Sequence, residues 1–258
     1  MKKLRLFILL VNFIFFFSFT SNFFAQVKND SLHVVHWSYT GETGPAHWSE
    51  LNPADSLCGC GHEQSPVDIS NTFKSKLDKI KFNYKPSEIN LVNNGHTIQL
   101  IYTKGSSAII NGKKFNLIQF HFHIPSEHTI NGMHYNMELH LVHQDEKGEI
   151  AVIGVFFKIG SFNKTLQILI DNLPKEINLP IVNQKLEINA YDFIPKNQIY
   201  YHYFGSLTTP PCTEKINWNI FKSPIQASME QINQLKSLMG ENSRPVQKLN
   251  DRFLLESE

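Results

Sequence analysis

The chain has 258 residues, of which 41% are hydrophobic and 18% are charged, so it can bury a core and is not disordered. The first 25 residues hold three of the 24 basic residues and none of the 23 acidic ones, so the remainder carries a net charge of −2. This near-neutral balance gives no electrostatic case for binding nucleic acid or an anionic membrane surface. The composition also excludes collagen, extended coiled coil and low-complexity classes.

The N-terminal segment, residues 1–25, has the layout of a secretory signal peptide. A basic start is followed by an apolar run over residues 6–19. We predict cleavage after Ala25, which leaves residues 26–258 as the mature domain, although cleavage after Thr20 is also compatible with the sequence. The alternative is an uncleaved anchor, because 20 residues are just long enough to span a bilayer. Cleavage predicts a secreted or periplasmic protein with no stable membrane insertion.

Short alternating runs dominate the rest of the chain and predict one sheet-rich domain. Residues 27–68 are rich in Gly, Pro, Trp and His and predict irregular structure. Alternating apolar side chains then predict strands, with Asn-Gly and Lys-Gly turn signals between them, near residues 80–84 and 98–102 and over residues 114–124, 135–143 and 150–158. Two peripheral helices are predicted, over Asn163–Asn172 and Ile225–Met239.

The segment 114–124 places histidines on one face of a predicted strand. Side chains of a strand alternate between the two faces of the sheet. One face carries large apolar side chains and is predicted to be core: Ile118, Phe120, Phe122 and Ile124. The opposite face carries Leu117, Gln119, His121 and His123. The imidazoles of His121 and His123 are two positions apart, close enough to bind one ion.

A third histidine lies in the next strand, within MELHLVH. If the two strands pair antiparallel, His140 can approach His121 and His123. Three imidazoles without a cysteine ligand suit a catalytic zinc, with a fourth position left for water. Zinc lowers the pKa of that water to about 7, which yields hydroxide at neutral pH.

The neighbours of these histidines strengthen the prediction of a metal site. Gln119 and Glu138 each precede a candidate ligand by two residues and can bond its other ring nitrogen. One alternative is that the two histidines of H-x-H are ordinary half-buried surface residues. Another is a cupin-like iron or manganese site using His121, His123 and Glu127. However, the flanking glycines and the second cupin motif are absent from the sequence.

Nine segments, in the family's order, resemble the secreted bacterial α-class carbonic anhydrases: WSYTGETGPAHW (37–48), QSPVDI (64–69), NNGH (93–96), LIQFHFH (117–123), SEHT (126–129), ELHLVH (138–143), AVIGVFF (151–157), GSLTTPPC (205–212) and SRPVQ (243–247). The resemblance extends over nearly the whole mature chain. It implies a mixed, β-dominated α+β fold, a single domain around a central twisted, mostly antiparallel sheet with short peripheral helices. It also implies a lyase that reversibly hydrates CO₂ to bicarbonate and a proton with one Zn²⁺ per chain.

The resemblance also assigns roles at the metal site. It implies that His121, His123 and His140 are the zinc ligands. Thr208 matches the threonine that accepts a hydrogen bond from zinc-bound hydroxide, and Glu127 matches the carboxylate partner of that threonine. A hydroxyl that donates to a carboxylate must accept from the hydroxide, and this aims the hydroxide at carbon.

Further roles follow from the same resemblance. His96, in NNGH, matches the residue that passes the proton to buffer. An unperturbed imidazole titrates near pH 6.5, so it can take this proton and release it. A polar lining is implied for Tyr39, Asn94 and Gln99. The substrate pocket is implied for Val142, Val152, Leu207, Thr209 and Trp218. A buried hydrogen-bond network, which we interpret as structural, is implied for Ser65, His128 and Tyr203.

The three cysteines predict one disulfide, because an oxidising compartment permits a single bond and leaves one thiol over. A bond between Cys58 and Cys60 is disfavoured by its geometry, so the residues alone leave either free to pair with Cys212. The resemblance favours Cys58–Cys212, with Cys60 a free thiol. The remaining functional alternatives are a non-catalytic relative and a zinc esterase. We expect a monomer or a homodimer.

Overall fold

The computed structural model describes residues 36–258, so the predicted leader and its cleavage site lie outside the described residues. The α-helices within this range are short: α1 (Trp48–Leu51), α2 (Leu57–Cys60), α3 (Lys164–Ile170) and α4 (Met229–Met239). Three 3₁₀ helices accompany them, Gly41–Thr43, Pro53–Asp55 and Ala190–Phe193. From residue 36 onward, no helix combines the length and apolar character needed to cross a membrane.

Strands make up most of the regular structure. In chain order they are β1 (Asp68–Ile69), β2 (Phe73–Ser75), β3 (Lys81–Asn83), β4 (Ser87–Asn93), β5 (Ile98–Ile101), β6 (Ser107–Ile110), β7 (Lys113–His123), β8 (Thr129–Ile130), β9 (Met133–His134), β10 (Met137–Gln144), β11 (Ile150–Ile159), β12 (Ile181–Ile188), β13 (Tyr200–Ser206), β14 (Glu214–Ala227) and β15 (Leu255–Ser257).

In the described part of the chain, twelve strands form one twisted mixed sheet. Its order is β12-β4-β5-β7-β10-β11-β14-β13-β15-β2. In addition, β6 pairs with β7, and β3 pairs with β6. The pairs β11–β14 and β15–β2 are parallel, and the other pairs of this sheet are antiparallel. A small second sheet contains β1, β8 and β9. The prediction of a β-dominated domain with short peripheral helices is therefore confirmed.

The predicted helix over Ile225–Met239 is wrong at its start. Ile225 still belongs to β14, and helix α4 begins at Met229. Ser228 sets this boundary, because its side chain accepts from the N–H of Gln231 while the Gln231 side chain accepts from the N–H of Ser228. Pro224, directly before the predicted helix, lies where the register between β11 and β14 shifts and a missing N–H is tolerated.

One residue of the predicted apolar face of β7 lies outside the core. Phe120 and Phe122 are fully buried as predicted, but Ile118 is 44% exposed, and Leu117 is buried in its place. The pairing of β7 with β10 shifts register between Val142 and the next residue, which leaves Ile118 as an extra residue. Such a bulge reverses the alternation of faces beyond it.

The segment before β1, predicted to be irregular, contains α1, α2 and two of the 3₁₀ helices. It is attached to the sheet by a disulfide between Cys58 and Cys212. Trp48 packs on this bond together with the partly buried Trp37 and Tyr39. Cys60 is a free, exposed thiol.

We expect the Cys58→Ala/Cys212→Ala variant to lose between about 2 and 5 kcal/mol of unfolding free energy. The bond closes a loop of 154 residues, and closing a long loop restricts the unfolded chain most. Denaturant unfolding measures the loss. Cys60→Ala is the matched control and should stay within about 0.5 kcal/mol of the wild type. Equal stabilities for the two variants would contradict the prediction.

A buried histidine outside the metal site makes stability depend on pH. His143 is fully buried; its Nδ1 donates to the carbonyl of Leu141 (2.9 Å), so Nε2 accepts from the Tyr84 hydroxyl (2.6 Å). Burial lowers the pKa of His143 to about 4. Between the unfolded value near 6.5 and this folded value, the unfolded chain binds more protons, so the unfolding free energy falls as pH falls.

We therefore expect His143 to remove about 3 kcal/mol of unfolding free energy from the metal-free protein between pH 7 and pH 4. Urea unfolding at both pH values measures the change. The Tyr84→Phe/His143→Phe variant removes the titrating group together with its partner, so its unfolding free energy should fall by about 3 kcal/mol less. Identical pH dependence in both proteins would show that the histidine is not the cause.

Candidate metal centre

The pairing of β7 with β10 brings the three predicted ligands together. His140 lies directly opposite His121, and Glu138 lies opposite His123. One ring nitrogen from each of the three histidines lies within 4.8 Å of the others. The centroids of the His123 and His140 rings are 4.5 Å apart. Three imidazoles on adjacent strands of a rigid sheet therefore converge on one point.

Hydrogen bonds determine which nitrogen of each histidine faces that point. His121 Nδ1 bonds Gln119 Oε1 at 2.9 Å, and His140 Nε2 bonds Glu138 Oε1 at 3.0 Å. Both partners accept, so these nitrogens carry the protons, and His121 Nε2 and His140 Nδ1 keep free lone pairs.

The third histidine is held by a backbone carbonyl. His123 Nδ1 donates to the carbonyl oxygen of Asn242 at 2.7 Å. His123 Nε2 is buried and has no hydrogen-bond partner among the described residues. A buried nitrogen without a partner is costly unless something binds it, and a metal ion fits this position. Asn242 could not be predicted from the sequence, because a main-chain carbonyl has no residue-type signal.

Burial keeps His121 and His123 neutral, as metal binding requires. Burial lowers the pKa of His121 well below its usual value, and the adjacent His123 and His140 lower this pKa further. Burial also lowers the pKa of His123, although the Glu127 carboxylate acts in the opposite direction. At neutral pH both rings offer lone pairs rather than charges.

Glu138 is a fully buried carboxylate with every acceptor position filled. Its Oε1 accepts from His140 and from His128 Nδ1 (2.8 Å), and its Oε2 accepts from the N–H groups of Glu127 and His128 (2.9 Å each). Burial alone would raise the pKa of Glu138, but His128 and His140 outweigh it and hold this pKa well below its usual range.

Glu127 is a second buried carboxylate beside the centre. Its Oε1 accepts from the N–H of Arg244 at 2.9 Å, whereas its Oε2 has no partner in the described part of the chain. Thr208 is also buried. No hydrogen bond joins Thr208 to Glu127 within residues 36–258 of this structure, so their pairing stays a prediction.

Arg244, which received no role in the sequence analysis, connects this carboxylate to the N-terminal segment. Its buried guanidinium donates to Gln64 Oε1 (2.9 Å) and to the carbonyls of Ser65 and Cys58 (2.8 Å each). Burial lowers the pKa of Arg244 to about 10, so it stays charged at neutral pH. Its motif, SRPVQ, contributed to the family resemblance but carried no signal of these contacts.

His96 lies at the rim of the centre in a stacked position. Its ring stacks on Trp37 with centroids 3.6 Å apart, and its Nε2 lies 3.0 Å from Nε2 of His36. The Asn94 side chain accepts from the N–H of His96 and shapes the turn. Burial, together with the neighbouring His36, lowers the pKa of His96 to about 4.

A cavity of about 140 Å³ opens over the metal centre. Its lining includes the predicted polar residues and Thr209, and comprises Trp37, Tyr39, Asn94, His96, Thr97, Gln99, Gln119, His121, His123 and Thr209. The predicted apolar residues pack in a single hydrophobic cluster: Val142, Val152, Leu207 and Trp218. The Trp218 ring lies 4.8 Å from the His140 ring, so this cluster adjoins the metal centre.

Three imidazoles on a sheet, with an open cavity beside them, are the donor set of catalytic rather than structural zinc sites. Residues 43–258 match the family model of the eukaryotic-type carbonic anhydrases. The chain belongs to this family.

Relatives and solved structures agree with this assignment. The chain is 42% identical to a carbonic anhydrase of Nostoc sp. over 228 residues, 86% of each chain. It is 41% identical to a carbonic anhydrase of Neisseria gonorrhoeae over 224 residues, 86% of this chain and 88% of the other. A hyperthermostable carbonic anhydrase from a hydrothermal vent chimney superposes with a TM-score of 0.84 at 48% identity, covering 86% of this chain and all of the other.

Proposed function

We propose that the chain catalyses the reversible hydration of CO₂ to bicarbonate and a proton with one Zn²⁺, held by His121, His123 and His140. The convergence of three ring nitrogens supports this most strongly, because one of them, His123 Nε2, is buried without a partner among residues 36–258. Bound zinc would lower the pKa of a water to about 7 and so supply a nucleophile at neutral pH. Gln119, Glu138 and the Asn242 carbonyl keep the three rings in place.

Glu127 and Thr208 orient the nucleophile in this proposal. Arg244 occupies Glu127 Oε1, which leaves Oε2 as the acceptor for the Thr208 hydroxyl. A threonine that donates to Oε2 can only accept at its oxygen from the attacking group. The nucleophile then directs a lone pair toward the carbon of CO₂.

The two sides of the site would serve different parts of the reaction. The apolar cluster of Val142, Val152, Leu207 and Trp218 receives CO₂, which has no charge to solvate, together with Thr209 of the cavity lining. The polar lining of Tyr39, Asn94 and Gln99 holds the waters through which the proton leaves. His96, at the rim, receives that proton.

In this buried position His96 is a weak proton acceptor, because its pKa of about 4 lies below the value of about 7 expected for a zinc-bound water. For His96→Ala we expect kcat to fall about tenfold in dilute buffer, below the usual effect of a general base because water and buffer also take the proton. The value of kcat/KM should stay unchanged. Imidazole buffer should restore kcat. A parallel loss of kcat and kcat/KM would contradict a role confined to proton transfer.

We also propose that residues 1–25 direct export and are removed, which leaves 26–258 as a secreted or periplasmic domain. The basic and apolar leader supports this proposal, and so does the Cys58–Cys212 bond, since disulfides persist in oxidising compartments. N-terminal sequencing of the exported protein tests both the removal and the site.

Stopped-flow CO₂ hydration, combined with metal analysis, tests the proposed function. We expect fast hydration by a protein that contains about one zinc per chain, and loss of both after treatment with a chelator. A zinc-loaded protein that cleaves activated esters but does not hydrate CO₂ would overturn the proposal in favour of an esterase. A protein that holds iron would overturn the ligand assignment.

A further inference from the structure

A line of buried hydrogen bonds runs from the metal centre through Glu138 to the far side of β13. His128 Nδ1 bonds the same Glu138 oxygen that His140 uses. His128 Nε2 then bonds the Tyr203 hydroxyl at 2.7 Å, and that hydroxyl bonds Ser65 Oγ at 2.7 Å. None of these side chains is more than 2% exposed.

The chemistry of the groups determines the direction of every bond in this line. Each of the four groups around Glu138 donates, which leaves its carboxylate only as an acceptor. His128 Nδ1 therefore carries a proton. Ser65 Oγ accepts from the N–H of Ser206, so its own proton goes to the Tyr203 oxygen, and the Tyr203 hydroxyl donates to His128 Nε2.

Ser65 is itself held in one orientation. Its Oγ accepts from the N–H of Ser206 (3.0 Å), and its own N–H donates to Ser206 Oγ (2.9 Å). The residue between the phenol and this pair is Gly205, where an added Cβ would meet Ser65 Oγ at 2.2 Å and a Tyr203 ring carbon at 2.7 Å. No other residue leaves room for this arrangement.

One aromatic ring packs beside both imidazoles and the phenol. Trp218 lies 4.8 Å from the rings of both His128 and His140, and it stacks on Tyr203 at 6.4 Å with an interplanar angle of 11°. Its indole N–H donates to the carbonyl of Ser206 at 2.9 Å. A shift of the Tyr203 ring would therefore also displace the rings of His128 and His140.

We propose that Tyr203, oriented by Ser65, is a positioning residue for the metal centre. By donating to His128 it fixes the tautomer and ring position of His128, and this keeps Glu138 Oε1 on His140 Nε2. The free nitrogen of His140 then stays aimed at the ion. From the sequence this network is predicted to be structural only; a positioning role goes further and rests on the proposed zinc site.

The test compares two tyrosines of the same strand. Tyr203→Phe removes the donor to His128 and keeps the ring. Tyr200→Phe is the matched control, because Tyr200 is equally buried and donates at 2.7 Å to the carbonyl of Asp78, away from the centre. Chelator competition gives the zinc dissociation constant, and thermal unfolding of the metal-free proteins gives their stability.

We expect Tyr203→Phe to weaken zinc binding about tenfold, the lower end of the effect of partners that orient metal ligands. Tyr200→Phe should lose comparable stability and keep its zinc affinity. In ¹H–¹⁵N NMR spectra, the imidazole N–H signals of His128 and His140 should move in Tyr203→Phe alone. Ser65→Ala, which leaves the aromatic packing intact, should weaken zinc binding in the same direction by a smaller factor.

The two possible failures can be told apart. If the wild type binds zinc and neither Tyr203→Phe nor Ser65→Ala changes the affinity, the network is structural and this proposal is wrong. The same conclusion holds if Tyr200→Phe weakens zinc binding equally. If the wild-type protein does not bind zinc, the proposed function is wrong, and the positioning role is overturned with it.

Discussion

His140→Ala should remove the bound zinc and the hydration activity together. The apparent free energy of zinc binding at structural zinc-finger sites is of order 10 kcal/mol or more. By analogy, one of three ligands would carry about 4 kcal/mol, or about 10³-fold in affinity. The fold should survive, because His140 is a polar residue on the face of β10 that lines the centre. Metal analysis after dialysis and stopped-flow hydration measure the two losses.

His62→Ala is the control for this variant, because His62 is an exposed histidine that does not line the cavity. We expect it to retain about one zinc per chain and full activity. Unchanged zinc content in His140→Ala would show that the ligands are other residues. Loss of zinc in both variants would indicate a weak surface site rather than the three-histidine centre.

Glu127→Gln should abolish most of the activity while the zinc stays bound. The Arg244 N–H requires an oxygen at the Oε1 position, so the new amide group must place its NH₂ at the Oε2 position. That group donates where the Thr208 hydroxyl needs an acceptor, so the hydroxyl turns and the nucleophile loses its orientation. Mispositioning of this kind costs about 10²–10³-fold in kcat, comparable with the loss of an oxyanion donor.

Zinc content distinguishes this result from ligand loss, since Glu127→Gln should keep about one zinc per chain. Thr208→Ser retains a hydroxyl and should lose far less activity than Thr208→Ala. If Glu127→Gln retains wild-type kcat, or if Thr208→Ala hydrates CO₂ as fast as Thr208→Ser, the proposed orientation by this pair is wrong.

The part of the site that sequence could predict is the part that depends on strand periodicity. The ligands and their two side-chain partners occupy alternate positions of β7 and β10, and period-two alternation places such residues on one face without further information. The bulge at Ile118 escaped this reasoning because it depends on how β7 pairs with β10, and pairing register is not encoded in one strand alone.

Contacts made through the main chain or across long stretches of sequence were also beyond prediction. The acceptor for His123 is the carbonyl of Asn242, which any residue could supply. The donor to Glu127 is the N–H of Arg244, more than a hundred residues away. The helix boundary at Ser228 could have been found, because Ser and Gln at the first and fourth positions are a capping-box signature.

The three candidate ligands come from one antiparallel pair of strands, joined by a short connection within residues 121–140. Of the groups that orient the nucleophile, Glu127 lies in this same stretch, but Thr208 and the Arg244 N–H that holds Glu127 come from distant parts of the chain. Because nearby segments meet at a lower entropic cost than remote ones, metal affinity should arise early in folding and catalytic competence only when the chain closes. A partly folded chain would then already retain zinc, and the ion would act as a template for the last steps of folding.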